Sequence, residues 1–136
     1  VVWNHTTLHM RSRDKNWTYL QMLLPLNNEL ELINFLRKKW GKKVLWHLEA
    51  VSQQGSPRLA ALPVLKWNGA EELNEIMEDC KKLGAFIFNP HVLTVEGGGL
   101  GVVDADQVKA KLRFDPKGLL NPGKLEGWEV KEQFKI

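Results

Sequence analysis

Apolar residues recur at helical spacing in a first stretch of the chain that closes before Gly41. They are Leu30, Ile33, Leu36 and Trp40. Positions three and four residues apart lie on one face of a helix, and glycine commonly follows a helix C-terminus. Asn28 and Glu31 have the spacing of a capping box at its start. The pattern predicts an amphipathic helix that ends at Gly41.

A second stretch, which opens at Asn68 and closes before Gly84, has the same spacing. Its apolar positions are Leu73, Ile76, Met77, Cys80 and Leu83. Asn68 and Glu71 again match a capping box, so we predict a second amphipathic helix. Cys80 falls on its apolar face, and we therefore interpret this cysteine as a core residue rather than a nucleophile.

Four further segments are predicted to be β-strands because aliphatic and aromatic residues dominate or alternate in them. They are Trp17 to Leu24, Val44 to Val51, Arg58 to Lys66 and Ala85 to Phe88. Pro63 has no N–H group, so we expect it at a sheet edge or a bulge. With the two helices, the order is strand, helix, strand, strand, helix, strand. This order predicts an α+β fold with a ferredoxin-like antiparallel sheet and both helices on one face.

Both ends of the chain extend this predicted core. We expect residues 1–16 to add a leading strand, because Val1 to Ser12 contains several good strand formers. The ferredoxin-like core covers residues 17–88, a glycine-rich loop covers residues 89–103, and a final helix with a tail covers residues 104–136. These parts are predicted to form a single domain over residues 1–136.

Composition and charge exclude several classes of protein. A hydrophobic content of 43% and a charged content of 26% are typical of a globular chain. The net charge of +3 is small, and we interpret the basic run between Arg37 and Lys43 as the solvated end of the first helix. The single cysteine forms no internal disulfide, and no apolar run is long enough to span a bilayer. We expect a cytoplasmic protein with no nucleic-acid partner and no membrane span.

The segment from Phe114 to Leu125 reads Phe-Asp-Pro-Lys-Gly-Leu-Leu-Asn-Pro-Gly-Lys-Leu. Each X-Pro pair favours an extended residue followed by a turn. Gly118 and Gly123 permit positive φ angles. The segment is therefore predicted to form a rigid double turn, and its local chemistry alone favours a structural role, the fastening of the last helix to the sheet.

This segment resembles the C-terminal signature of FAD-linked oxidases of the vanillyl-alcohol-oxidase type, which include glycolate oxidase and D-lactate dehydrogenase flavoproteins. In that family the pattern Phe-Asp-Pro-x-Gly-x-Leu-Asn-Pro-Gly-Lys follows a helix and nearly ends the protein, and every fixed position is met here. The family's C-terminal domain also has a ferredoxin-like core. The resemblance is sharp over the last third of the chain.

The resemblance implies that the chain is the C-terminal, substrate-side cap domain of an FAD-dependent oxidoreductase that oxidises a small organic molecule, with a 2-hydroxy acid as candidate. A domain upstream would bind most of the FAD, and this fragment alone would be inactive. In the family the Asn of the motif lies close to the cofactor. Carried over, Asn121 is the flavin contact, and Pro122, Gly123 and Lys124 shape the turn beside it. A carboxamide can donate and accept hydrogen bonds at the polar edge of a flavin.

The glycine-rich loop contains the stretch Glu96 to Gly101, which reads Glu-Gly-Gly-Gly-Leu-Gly. The family's 2-hydroxy-acid dehydrogenases have a Glu-His-Gly-x-Gly motif just before the final helix, which helps to hold substrate or metal. Here Glu96 and the glycines are present and the His is absent, which puts the His-assisted reaction in doubt. His91 and Glu96 are the candidate catalytic residues. One histidine and one carboxylate make a poor metal signature, so no metal site is predicted.

His5 and His9 are the candidate substrate-binding residues. If their segment is a strand, residues four apart point to the same face. We expect them, with the loop from His91 to Glu96, near the sheet face that the helices leave uncovered, where a substrate pocket would have its ceiling.

Two kinds of function stay open from the sequence. In the enzyme hypothesis the partners are the chain's own upstream FAD-binding domain and a small-molecule substrate. The alternative is a stand-alone ferredoxin-like module that binds a ligand or mediates oligomerisation without catalysis, because this fold hosts many functions. A homodimer is left open in both.

Overall fold

The structure is a computed structural model that describes residues 5–134. The chain divides into two compact units, one ending at Phe88 and the other beginning at Asn89. This boundary coincides with the predicted junction between the core and the glycine-rich loop, although the sequence predicted a single domain.

The first unit combines helices with antiparallel strands, which confirms the predicted α+β class. Its helices are α1 (His5–Arg13), α2 (Glu29–Trp40) and α3 (Ala70–Lys82). Its strands are β1 (Trp17–Tyr19), β2 (Gln21–Leu23), β3 (Val44–Leu45), β4 (Leu48–Gln53), β5 (Ser56–Ala61), β6 (Val64–Lys66) and β7 (Phe86–Phe88). A short 3-10 turn, Gly41–Lys43, follows α2.

All strand pairs are antiparallel. One sheet has the order β1-β6-β3 and the other has the order β4-β5-β2-β7. Each of the first three predicted strands is thus broken into two. If the broken halves are joined, the order across the strands is fourth, first, third, second. These pairings are compatible with a ferredoxin-like arrangement, which stays a prediction.

Pro63 lies at the break between β5 and β6, within the third, centrally placed segment rather than at a sheet edge. Since proline has no N–H to donate, the ladder is interrupted there. Backbone bonds bridge the interruption: Leu20 N–H donates to the Pro63 carbonyl at 3.1 Å, and Leu62 N–H donates to the His47 carbonyl at 2.9 Å.

The first described element is a helix, so the predicted leading strand is wrong for residues 5–13. The buried residue of α1 is Thr7, with no apolar stripe that periodicity could have revealed. Arg11 and Arg13 lie in the last turn, where cations complement the helix dipole. Arg11 Nη1 also donates to the Trp17 carbonyl at 2.7 Å, which ties the helix end to β1. The first four residues of the predicted strand lie outside the described residues.

The predicted face of α3 and most of that of α2 pack into one core with the strands, whereas Leu30, predicted on the α2 face, is exposed. The buried members are Leu20, Met22, Leu24, Leu32, Ile33, Leu36, Val44, Ala61, Leu65, Leu73, Ile76, Met77, Cys80, Ala85 and Ile87. Cys80 is fully buried, which confirms its interpretation as a core residue. This burial, with a contribution from the Asp79 carboxylate, raises the pKa of its thiol to about 12. Neither predicted capping box forms: no side chain caps either helix, and α3 has Gly69 at its N-cap.

Ion pairs join the C-terminal end of α2 to α3. Lys39 Nζ lies 2.8 Å from Glu75 Oε1 and 2.7 Å from Asp79 Oδ2. Lys43 Nζ lies 2.6 Å from Glu72 Oε2. The basic run interpreted as solvated is therefore partly engaged in holding the two helices together.

The second unit has one α-helix within its described residues, α4 (Ala105–Phe114). A wide turn, Glu96–Leu100, precedes it, and short 3-10 turns, Glu126–Trp128 and Lys131–Phe134, follow. Asp104 caps α4, because its carboxylate accepts the N–H groups of Asp106 and Gln107.

Two leucines of α2 test the core assignment. Leu36 is 1% exposed and Leu30 is 74% exposed. We expect Leu36→Ala to lower the free energy of unfolding by about 2–5 kcal/mol through lost burial and a cavity. Leu30→Ala should change it by no more than about 0.5 kcal/mol. Urea titration followed by circular dichroism measures both changes. Equal losses would contradict the burial of Leu36 and the exposure of Leu30.

Candidate functional site

Asp115 organises the predicted double turn. Its Oδ1 accepts the N–H of Leu119 at 2.9 Å, and its Oδ2 accepts the N–H of Leu120 at 3.0 Å. Lys111 Nζ donates to Asp115 Oδ2 at 2.6 Å and to the Leu120 carbonyl at 2.7 Å. The bond from Lys111 holds the pKa of Asp115 below its ordinary value; burial opposes this shift, and the two backbone N–H groups reinforce it. The carboxylate therefore connects the end of α4 to the turn.

Three residues of the turn have positive φ angles, as the motif predicted for its glycines. The angles are 66° at Gly118, 46° at Asn121 and 72° at Gly123. A Cβ atom at Gly118 would lie 2.8 Å from Cζ2 of Trp128, whereas one at Gly123 would meet nothing within 4 Å. Gly118 is thus required both for its backbone angle and for the close approach of the indole.

Two lysines lie near the ring of Trp128. Lys111 Nζ is 5.1 Å from the ring centroid and Lys131 Nζ is 4.9 Å from it, both within cation–π range. Gly127 is buried, and a Cβ there would lie 2.5 Å from Cγ1 of Val103 and from Cγ2 of Val108. The backbone of Gly127 packs directly against these two valine side chains, so this part of the tail is closely packed.

Glu96, a candidate catalytic residue, is buried beneath the tail. Its Oε2 accepts the N–H of Glu126 at 3.0 Å, and its Oε1 accepts the N–H of Gly127 at 3.1 Å. Burial opposes ionisation, but hydrogen bonds from the backbone of Glu126, Glu96 and Gly127 outweigh it and hold the pKa of Glu96 below its ordinary value. A carboxylate with a lowered pKa is a weak base. The geometry therefore favours an anchoring role, and catalysis by Glu96 stays a prediction.

His91, the other candidate, is exposed on the same loop. Its backbone N–H donates to Asn89 Oδ1 at 3.0 Å, which fixes the start of the loop as a turn. Within residues 5–134 no group of three or more His, Cys, Asp or Glu side chains has the geometry to hold a metal ion.

The predicted cofactor-binding residues Asn121, Pro122, Gly123 and Lys124 are all exposed. The Asn121 side-chain amide has no hydrogen-bond partner among the described residues. Lys124 N–H closes the turn onto the Asn121 carbonyl at 3.3 Å, and the Lys124 carbonyl accepts Val95 N–H at 2.9 Å. The turn is therefore fixed by its backbone, while the amide of Asn121 stays available to a ligand or partner.

A cavity of about 420 Å³ lies beside this turn. Its lining includes Val95, Phe114, Leu120, Asn121, Lys124 and Leu125. Apolar side chains of the same tail segment are exposed: Phe114 is 76%, Leu119 is 73% and Leu120 is 66% exposed. An exposed apolar patch of this kind commonly marks a surface that another protein or a ligand covers. We call these exposed residues, with residues 121–124, the tail surface.

The predicted substrate-binding residues His5 and His9 are exposed on α1, four residues apart on one helix face. The His5 ring meets the ring of His47 edge to face, with centroids 5.3 Å apart. His47 Nδ1 is hydrogen-bonded to Thr6 Oγ1 at 2.9 Å, and its Nε2 lies 3.2 Å from Glu49 Oε1. The structure thus places His5 in contact with His47. The sequence predicted His47 on a strand and assigned it to no site.

Sequence reasoning missed a group on the sheet face that points away from the core. Phe86 and Phe88 flank the buried Ile87 on β7, so alternation turns both rings outward. Arg58 and Leu23 lie on the same face, on β5 and β2. The Phe-Ile-Phe alternation was a readable signal, but the neighbourhood of Arg58 depends on strand pairing that the sequence does not reveal.

Comparison with known proteins adds no assignment: no family model matches the chain, and no curated protein does. Among the described residues no helix is both long enough and apolar enough to cross a membrane.

Two glycines of the tail give a matched pair for stability. Gly123→Ala should cost about 1–2 kcal/mol, the strain of a Cβ in the left-handed region. Gly118→Ala should cost this and about 1–3 kcal/mol more, because the Cβ must displace the Trp128 ring. Chemical denaturation monitored by tryptophan fluorescence measures both. Equal costs would show that the contact between Gly118 and Trp128 is not close in solution.

The anchoring role of Glu96 predicts a pH-dependent loss. The folded pKa is lowered, so its stabilisation is present above the unfolded pKa and disappears as the pH falls through the folded pKa. Glu96→Gln should therefore cost about 1–3 kcal/mol at neutral pH, because one of two buried N–H groups loses its acceptor. At acid pH the variant and the parent chain should converge. A difference that stays constant from pH 7 to the acid range would refute the ionic part of this role.

Proposed function

We propose that this chain is the substrate-side C-terminal domain of an FAD-dependent oxidoreductase. In this proposal the tail surface faces the flavin, and a flavin-binding domain upstream in the same polypeptide supplies most cofactor contacts. The substrate is a small organic molecule, with a 2-hydroxy acid as the candidate, and the enzyme works in the cytoplasm. The fragment alone is inactive.

One observation carries the proposal: the residues that the resemblance assigns to the flavin coincide with an exposed polar turn beside an apolar cavity. Asn121 presents an amide without a hydrogen-bond partner among the described residues. Phe114, Leu119 and Leu120 are exposed around it. A polar group among exposed apolar side chains is the usual composition of a ligand-binding or docking surface. The motif that carries the resemblance therefore also supplies chemistry suited to a flavin contact.

The chain's own residues would then bind and position rather than transfer electrons. The Asn121 amide can donate to and accept from the polar edge of a flavin, and Lys124 adds a positive charge on the same turn. When bound, FAD supplies the two-electron oxidation of the substrate. Asp115 and Lys111 hold the turn in shape through the bonds described above, and Glu96 anchors the residues that follow it. A preformed turn contributes because its ordering cost is met before the cofactor binds.

Production of the chain together with the polypeptide encoded upstream of it tests the proposal. We expect a yellow protein whose visible spectrum is that of a bound flavin. The 136-residue chain alone should bind FAD weakly or not at all in a fluorescence titration. A long form that is colourless after reconstitution with FAD would overturn the proposal and favour the non-catalytic binding module.

A matched pair of variants tests the role of Asn121. Asn121→Gly keeps the positive φ angle without strain and removes the amide. It should weaken FAD retention by the long form about tenfold, the loss of roughly one hydrogen bond to a polar ligand. Asn27 also has a positive φ angle, 69°, and is exposed in the first unit. Asn27→Gly should leave FAD retention unchanged, and equal effects of the two substitutions would argue against a flavin contact at Asn121.

A further inference from the structure

A second cavity, of about 270 Å³, lies on the sheet face of the first unit that points away from the core. It is lined by Leu23, Gln53, Arg58, Gly84, Phe86 and Phe88. Alternation along the strands explains four of these positions. Leu23, Phe86 and Phe88 adjoin the core residues Met22 and Ile87, and Arg58 lies three positions before the core residue Ala61, so their side chains point away from the core. None of them belongs to the tail surface, and none is one of the histidines described above.

Arg58 carries the charge of this cavity. Its Nη1 donates to Gln53 Oε1 at 2.9 Å, and its Nη2 donates to the Leu24 carbonyl at 2.9 Å. Both acceptors are neutral, and no described carboxylate forms an ion pair with Arg58. Its Nε is enclosed and has no acceptor among the described residues. The guanidinium is therefore held in place without being neutralised.

A partly buried cation without a counter-charge is energetically costly unless an anion pairs with it. A carboxylate matches the planar fork of a guanidinium, because it accepts two parallel N–H bonds. Gln53 is exposed on the β4–β5 hairpin, so its neutral oxygen is the acceptor that such a ligand would replace. A bond between two charged groups is stronger than the bond from the charged guanidinium to a neutral amide oxygen that it would replace.

The rest of the wall is aromatic. The rings of Phe86 and Phe88 lie edge to face, with centroids 4.9 Å apart and an interplanar angle of 70°. Phe86 is 45% exposed and Phe88 is 43% exposed, so both offer ring surface to a ligand. An apolar body placed against them would remove this surface from water.

We propose that this cavity binds a small carboxylate with an aromatic or apolar body, the carboxylate on Arg58 and the body against Phe86 and Phe88. The site requires no flavin and no upstream domain, so it stands or falls separately from the proposed function.

Phenylacetate and its neutral isostere phenylacetamide test the site on the 136-residue chain. In ¹H–¹⁵N NMR titrations, phenylacetate should shift the amide signals of Arg58, Phe86 and Phe88 together and saturate. Phenylacetamide should bind at least about tenfold more weakly, because the charge-assisted pair is lost. Equal affinities for the two compounds, or no saturable shift at these residues, would overturn the proposal.

Variants distinguish the two halves of the site. Arg58→Gln should abolish phenylacetate binding, and Arg58→Lys should weaken it, since lysine keeps the charge but lacks the fork. Phe88→Ala should weaken phenylacetate binding while leaving the preference for acid over amide intact. Arg37→Gln is the control, because Arg37 is exposed on α2 and lies outside the cavity lining. Circular dichroism confirms the fold of each variant; weakening by Arg37→Gln equal to that by Arg58→Gln would show non-specific charge attraction and reject the site.

Discussion

The carboxylate of Asp115 stabilises the second unit, as apolar packing stabilises the first. Among the described residues of that unit, the one buried hydrophobic residue is Val108, and the buried charged residues are Glu96 and Asp115. So small a core cannot supply much burial energy. Instead, Asp115 and Glu96 each accept two backbone N–H groups, and Lys111 neutralises Asp115. These bonds to charged carboxylates stabilise one conformation of a segment that has little apolar packing.

This constraint connects the motif to the proposed function. Asp115 and Gly118 determine the path of the chain, and that path leaves Asn121 in the left-handed region with its amide exposed. The same path leaves Phe114, Leu119 and Leu120 uncovered. A unit that exposes so many apolar side chains beside a polar turn is suited to being covered by a partner or cofactor. Most fixed residues of the motif thus shape the turn, whereas the turn leaves the side chain of Asn121 exposed to solvent.

How much of this the sequence predicted depends on whether the signal was local. The helices α2 and α3 follow from apolar periodicity, although neither capping box forms and Leu30 of the predicted α2 face is exposed. The tail turn follows from its Pro and Gly positions. The helix α1 was missed because Thr7 is its buried residue and no apolar stripe marks it. The anchoring bonds of Glu96 span thirty and thirty-one residues and could not be read from local spacing. The cavity at Arg58 was likewise hidden, since it forms only when β2, β5 and β7 pair in one register.

Amide hydrogen exchange tests most directly whether carboxylates rather than a core hold the tail. The reporters are the N–H groups of Leu119, Leu120, Glu126 and Gly127, which Asp115 and Glu96 accept. After correction for intrinsic exchange rates, they should be protected at neutral pH and lose protection at a pH below the lowered carboxylate pKa values, while the core amides of β2 and β5 stay protected. Protection of the four tail amides that persists after the carboxylates are protonated would contradict the account.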